Sequence, residues 1–315
     1  MWSYIFNLRL LLVLGTLLVA SNGWAADKGD YLHWDYKIGA EERVRYEFKQ
    51  DFDANSSRKD TGSLFFTRER INAQATLTDE YLNNKAQVFV EGLNAQTGGY
   101  RIKATANQTD DFDLHQAYVN VYKIAGSDLD VKVGRQELKY GKGRLIAAPV
   151  WANRIRAFDA SVIHYEHEGL YADALYGQDV KYDDDKLNQS RNEEFITGVY
   201  AAFQANKVMP LFEAYYLKMV DIKGTTDVHR HTIGGRIQAI LAPGLVGDIE
   251  VPVQFGKTGT TTAGAKTIKA WAFHADLTQS FDQSFWKPKI TAAYDQASGD
   301  RDPNDSVSNT FTPLY

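Results

Sequence analysis

The 315-residue sequence contains no cysteine. That excludes a disulfide framework, a thiolate metal site, an iron–sulfur cluster and a cysteine nucleophile. Basic side chains are also short in number, 35 Lys and Arg against 40 Asp and Glu, for a net charge of −5. Nucleic acid is a poor partner for such a balance, because chains that bind phosphate backbones are usually basic. Long apolar runs are missing beyond the first 25 residues, so no later segment can cross a bilayer as a helix. Taken as averages, with 44% hydrophobic residues and a mean hydropathy of −0.40, these values describe a soluble protein. The order of the residues describes something else.

The one apolar run, Leu10 to Ala20, follows Arg9 and precedes Gly23-Trp24-Ala25, with small residues at the −3 and −1 positions of a cleavage site. It is shorter than the ~18–20 residues of a spanning helix and reads as a secretory signal peptide over residues 1–25, with an uncleaved anchor as the alternative. Its removal takes away Arg9 alone and leaves residues 26–315 at net −6. Export without cysteine suits a Gram-negative periplasm or outer membrane.

From Trp34 onward, polar and apolar residues alternate almost everywhere. In the first segment Trp34, Tyr36, Ile38, Ala40, Val44, Tyr46 and Phe48 lie on one face, and Asp35, Lys37, Glu41, Arg43, Arg45, Glu47 and Lys49 on the other. Aromatic residues close both ends of the apolar face, as a strand needs when its middle meets lipid tails and its ends meet headgroups. Glu42 and Glu69 interrupt this face, either because they lie above the membrane or because the register slips there. The same alternation recurs near 65–78, 85–92, 115–122, 129–134, 158–168, 170–180, 194–204, 210–221, 230–240, 247–257, 269–278 and 287–296, which makes roughly thirteen strands. Gly247–Lys257 is the cleanest, with Ile249, Val251, Val253 and Phe255 opposing Asp248, Glu250, Pro252 and Gln254.

Short connections such as Asp79–Asn84 and Gly126–Asp128 alternate with longer polar ones at Gln50–Gly62, Asn94–Asp113, Lys181–Glu193 and Gly259–Lys266. Short turns on one rim and long loops on the other fit an antiparallel transmembrane β-barrel of the outer-membrane type. A soluble β-sandwich would explain the alternation but not the strand length, the aromatic ends or the two unlike rims.

Val133–Glu168 is too irregular for a plain strand. Its Gly134-Arg135-Gln136-Glu137-Leu138, Tyr140-Gly141 and Arg144-Leu145-Ile146, followed by Trp151, Asn153, Arg156, Phe158 and Asp159, resemble the alginate-export family of outer-membrane porins. Gln116-Ala117-Tyr118 and Ser298-Gly299-Asp300-Arg301-Asp302 fit the same pattern. The resemblance implies a monomeric barrel of about eighteen strands, whose lumen of arginines and some carboxylates passes an acidic polysaccharide outward by diffusion. The sequence departs from that pattern where it stops. Thr312-Pro313-Leu314-Tyr315 falls where a long extracellular loop is expected, so residues 26–315 read as a barrel domain incomplete at its C-terminus, with an intact smaller barrel as the alternative.

The candidate substrate contacts are lumenal. Arg43 and Arg45 on the first strand, Arg68 and Arg70 on the second, and Arg236 later all lie on polar faces. Same-face neighbours on a strand sit ~6.6–7 Å apart and adjacent strands ~4.8 Å, so the first four guanidiniums can form one patch. Arginine keeps its charge and offers a planar fork to carboxylates, which suits a uronate polymer with one carboxylate per sugar. Arg135, Arg144 and Arg156, with Asp159, join the set through the irregular segment, while Glu41, Glu47 and Asp159 temper the field. A second reading has these charges pair among themselves and simply fill a polar interior.

Other motifs carry little. Gly256-Lys257-Thr258 lacks the upstream glycine of a phosphate loop, where Val251 stands instead. His164 and His167 fall on opposite faces of a strand. Asp300, Asp302 and Asn304 start a calcium-loop spacing that Asp305 and Phe311 break. No catalytic constellation, metal site or cofactor site is expected. The expected partners are outer-membrane lipid and lipopolysaccharide, an anionic polysaccharide or oligouronate, and a periplasmic export complex. A general or other-substrate porin and an outer-membrane enzyme remain as alternative classes.

Overall fold

The computed structural model describes residues 31–49, 61–81, 84–100, 108–183, 186–222, 227–259, 264–302 and 304–315. The expected signal peptide, residues 1–25, and most of the Gln50–Gly62 connection lie outside them. The described chain is an antiparallel meander with no α-helix: β1 (Leu32–Lys49), β2 (Gly62–Asp79), β3 (Asn84–Tyr100), β4 (Asp110–Tyr122), β5 (Leu129–Gln136), β6 (Phe158–His167), β7 (Leu170–Asp183), β8 (Lys186–Phe203), β9 (Leu211–Asp221), β10 (Val228–Ala242), β11 (Leu245–Thr258), β12 (Lys266–Ser280) and β13 (Lys289–Ala297). Each strand pairs with the next, and the two-residue β14 (Val307–Ser308) runs parallel to the far end of β12. Among the described residues no pairing joins β1 to β13.

The alternation does what a lipid-facing sheet requires. On β11, Ile249, Val251, Val253 and Phe255 are 40–50% exposed, while Asp248, Glu250 and Gln254 are 1–6% exposed on the inner face. The outer face therefore offers its apolar residues to lipid and the inner face keeps its polar ones. The two rims differ as expected. Two-residue turns such as Glu168–Gly169 and Pro243–Gly244 close one rim, and the long segment 137–157 leaves the other, which is thereby the extracellular rim.

Two of the expected long loops are shorter than the sequence suggests. Lys181–Glu193 is mostly strand, since β7 runs to Asp183 and β8 starts at Lys186, and the strands likewise reduce Asn94–Asp113. Strands of 17 or 18 residues exceed the ~9–11 needed to cross a bilayer. Their upper parts stand above the hydrocarbon, where the outer face needs no apolar residues and the hydrophobic signal fades. Glu42 and Glu69 belong to this description: they oppose each other in an unbroken register, and Asn94 Nδ2 donates to Glu69 Oε2 at 2.8 Å.

The interior departs most from expectation. In place of a polar wall throughout, the inner faces of β6–β9 carry Phe158, Val162, Leu175, Ile196, Leu217 and Met219. Leu138, Leu145 and Ile146 of segment 137–157, together with Leu314, pack against them in one buried cluster. A hydrophobic core thus lies inside the sheet, because a segment of chain folds in to cover it. Replacing outward-facing Val251 by Arg is expected to destabilise the lipid-inserted protein by about 2–4 kcal/mol. Urea titration in vesicles, followed by heat-modifiable gel mobility, measures this.

Candidate functional site

Segment 137–157 leaves the top of β5, turns into the lumen and returns to β6. Its tip is a tight turn in which Tyr140 N donates to Ile146 O (3.2 Å) and Gly143 N to Tyr140 O (2.9 Å). Gly141 and Gly143 adopt φ of 54° and 75°, a conformation that strains any side chain-bearing residue, and a Cβ at Gly141 would meet Tyr200 Oη at 2.6 Å.

Three arginines hold the returning limb by its backbone. Arg43 donates to Val150 O (2.6 Å) and Trp151 O (3.0 Å). Arg45 also reaches Trp151 O, and Arg68 donates to Val150 O and Ala152 O at 3.0 Å each. Arg68, 3% exposed, also bonds Glu41 Oε1 at 2.6 Å. The next residue, Asn153, is 2% exposed and aims its Nδ2 at three backbone oxygens of the wall, Thr67, Gln96 and Gln108, at 2.9–3.1 Å. The loop is therefore fastened to β1–β3 through main-chain carbonyls and one asparagine.

The start of the segment is latched separately. Arg70 lies between Glu91 (2.8 Å) and Glu137 (3.0 Å), His115 Nε2 is 3.0 Å from Glu137, and Glu137 N donates to Gln116 Oε1. Burial pushes the Glu137 carboxyl up, but the bond from His115 and the charges of His115, Arg70 and Arg68 outweigh it and hold the group below the ordinary carboxylate value. His115 takes part through a register shift between β3 and β4 that turns His115 and Gln116, consecutive residues, both into the buried interior.

The far side of the lumen is a network of ion pairs. Arg144, carried inward by the loop, reaches Glu250 (2.7 Å) and Asp248 (3.2 Å) on β11. Arg236 joins Glu213 (2.6 Å) on β9 to Asp248, the latter through both Nε and Nη2. Arg156 pairs with Asp179 at 3.4 Å and lies over the Tyr315 ring.

The structure thus brings Arg43, Arg45, Arg68, Arg70, Arg144, Arg156 and Arg236 to the interior. It does not bring Arg135 and Asp159 there. These two are cross-strand neighbours and form a bidentate pair at 2.9 and 3.0 Å, on the face shared by Val131, Val133 and Ile163. The inner face at that point belongs to Lys132, Gln136, Val162 and His164. The upper end of β8 covers the pair, with Asn188 O accepting from Arg135 and Ser190 Oγ donating to Asp159. Their lumenal placement is corrected accordingly.

The answering carboxylates Glu91, Glu137, Glu213, Asp248 and Glu250 were absent from the expected site set, as was Arg230. Arg230, on the inner face of β10 and 9% exposed, has no carboxylate partner among the described residues. Its only sequence signal was the same parity that places Arg236 inward. Two acid–histidine groups, Glu91/His115/Glu137 and Asp248/His274/Asp276, have metal-like spacing. In both, a guanidinium (Arg70 or Arg144) already stands among the carboxylates and supplies the positive charge.

The model of the family described as alginate export matches residues 35–315. The chain belongs to the alginate export family. Membership gives it an outer-membrane export or porin role, in a family of transporters and not of enzymes. Among curated proteins none matches the sequence. Solved structures similar to this alginate-export chain include Salmonella typhi OmpF in complex with daunomycin (TM-score 0.38, 12% identity, covering 89% of this chain and 94% of that one). Vibrio cholerae OmpT, an in-vitro folded outer membrane protein in trimer form, is similar too (TM-score 0.38, 10% identity, 90% and 95%).

Asn153→Ala removes a buried donor from three carbonyls and should loosen the loop. Trypsin cleavage after Arg154 in the folded, detergent-solubilised protein is expected to quicken about tenfold. Unchanged cleavage would mean that Asn153 does not hold the segment in place.

Proposed function

We propose that the protein gives passive, anion-selective passage across the outer membrane to an acidic polysaccharide such as alginate, or to its oligomers. The observation that carries this reading is the way Arg43, Arg45 and Arg68 hold the inward loop. They grip neutral backbone carbonyls of the inward loop. Charge-assisted bonds to carboxylate are roughly twice as strong as neutral ones. A uronate arriving at these guanidiniums gains by exchange, whereas a neutral sugar does not. Conduction needs contacts strong enough to admit the polymer and weak enough to release it. The carboxylates Glu41, Glu47 and Glu91 beside the arginines set that limit. Arg230 adds positive charge on the inner face near the extracellular end of β10.

In this reading the protein acts as a monomer among lipid and lipopolysaccharide and takes its polymer from a periplasmic export complex. The interior ion pairs of Arg70, Arg144 and Arg236 favour a second reading, a general or other-substrate porin, because they leave those charges largely neutralised.

Planar-bilayer recordings separate the two. The proposal expects anion selectivity and block of the current by oligouronates, weakened about tenfold (~1.4 kcal/mol) in Arg43→Ala/Arg45→Ala. Arg68→Ala should raise single-channel conductance by releasing the loop. Cation selectivity without any oligouronate effect overturns the proposal, and equal block by neutral oligosaccharides favours the general porin.

A further inference from the structure

Beneath the inward loop, toward the rim of short turns, lies a cavity of about 430 Å³. The loop residues Glu137 to Tyr140 form its ceiling, and the lower inner faces of β4–β7 form its walls. Its volume falls in the range of small-molecule sites. Its charges differ in kind from those higher in the lumen.

The cavity carboxylates are engaged. Asp173 accepts from Tyr140 Oη (2.8 Å) and faces His164 Nδ1 (2.6 Å), Asp130 accepts from Lys123 N (2.8 Å), Glu137 is held by Arg70 and His115, and the exposed Glu166 stands 3.7 Å from His164 Nε2. The cavity lysines are not. Neither Lys132 nor Lys139 has a carboxylate at ion-pair distance among the described residues. Lys132 Nζ stands 3.9 Å above the Tyr118 ring. At the same mouth Lys85 Nζ stands 5.1 Å above Tyr122, again with no acid beside it. Ammonium groups are thus laid on tyrosine faces outside any ion pair, with Glu137 the carboxylate that acts on Lys132 from across the cavity. Asn120 lines the cavity too, and its buried Oδ1 accepts no hydrogen bond. Lysines outside any ion pair, aromatic faces and a spare acceptor are the three partners that a carboxylated sugar ring asks for.

We propose that this cavity is an entry subsite for one uronate unit of a chain arriving from the periplasm. The sugar carboxylate lies between Lys132 and Lys139, its ring lies against the faces of Tyr122 and Tyr171, and a hydroxyl donates to Asn120 Oδ1. The proposal rests on passage of an acidic polysaccharide through this lumen and assigns the step before the arginine-held loop. Lysine suits that step, because a flexible point charge captures a carboxylate without demanding the planar fit of a guanidinium.

The test uses the full chain refolded into planar bilayers, with a hexauronate added from one side at a time. Block from the side of the short turns should weaken about tenfold in Lys132→Met/Lys139→Ala, while Lys132→Arg stays near wild type. Block from the opposite side should change less than twofold. Lys139 is exposed, so Lys139→Ala alone carries the test if the double variant does not fold, with several-fold weaker block as its expected result. Equal block in wild type and the lysine variants overturns the subsite and leaves the passage reading standing. No block of wild type from either side overturns both. Competition by inorganic phosphate as effective as by the hexauronate reduces the cavity to a general anion site and overturns its assignment to a sugar.

Discussion

Everything in this fold follows from the fact that peptide groups in hydrocarbon have no water to turn to. Each N–H and C=O at membrane depth must find a partner within the protein, and a long antiparallel ladder does this strand by strand. Once the backbone is committed to that ladder, a strand has only two faces. One must satisfy lipid, so polar chemistry is confined to the other. At membrane depth the chain therefore concentrates its arginines and carboxylates inside by exclusion, whatever use is then made of them. The outward Arg135–Asp159 pair and Glu42 and Glu69 stand toward the strand tops.

What fills the interior depends on one break in the ladder. Between Gln136 and Phe158 the chain leaves the sheet, and its backbone carbonyls lose their strand partners. Arg43, Arg45 and Arg68 supply donors to several of them, while Leu138, Leu145 and Ile146 find apolar cover on β6–β9. Polar anchoring on one wall and hydrophobic burial on the other together hold the segment across the lumen. Neither half suffices, since a loop bound only through apolar contacts could slide and one bound only by arginine would leave its leucines wet.

The strands were legible in the sequence because their period of two is written residue by residue. Val251 and Val253 lie outward and Glu250 and Gln254 inward, as their alternation says. Arg135 shows the same rule ignored: the alternation of Val131 and Val133 already put it on their face, and only the irregularity that follows drew it into the lumenal set. His115 was hidden for another reason, because a bulge shifts parity by one and nothing local announces a bulge. The inward course of 137–157 was illegible altogether. Its apolar residues have no period, and the surfaces that receive them lie tens of residues away on β7–β9. The carboxylates that answer Arg144 and Arg236 are legible only once that course is known.

The arginine anchors grip main-chain oxygens at Val150, Trp151 and Ala152, not side chains. A clasp of this kind is indifferent to which residues it holds. Val150 and Trp151, 59% and 73% exposed, can be exchanged for others without loosening the hold. The constriction thus separates two properties that most binding sites tie together, its position and its surface. Mutation can retune what the passing cargo touches while the bar across the channel stays in place.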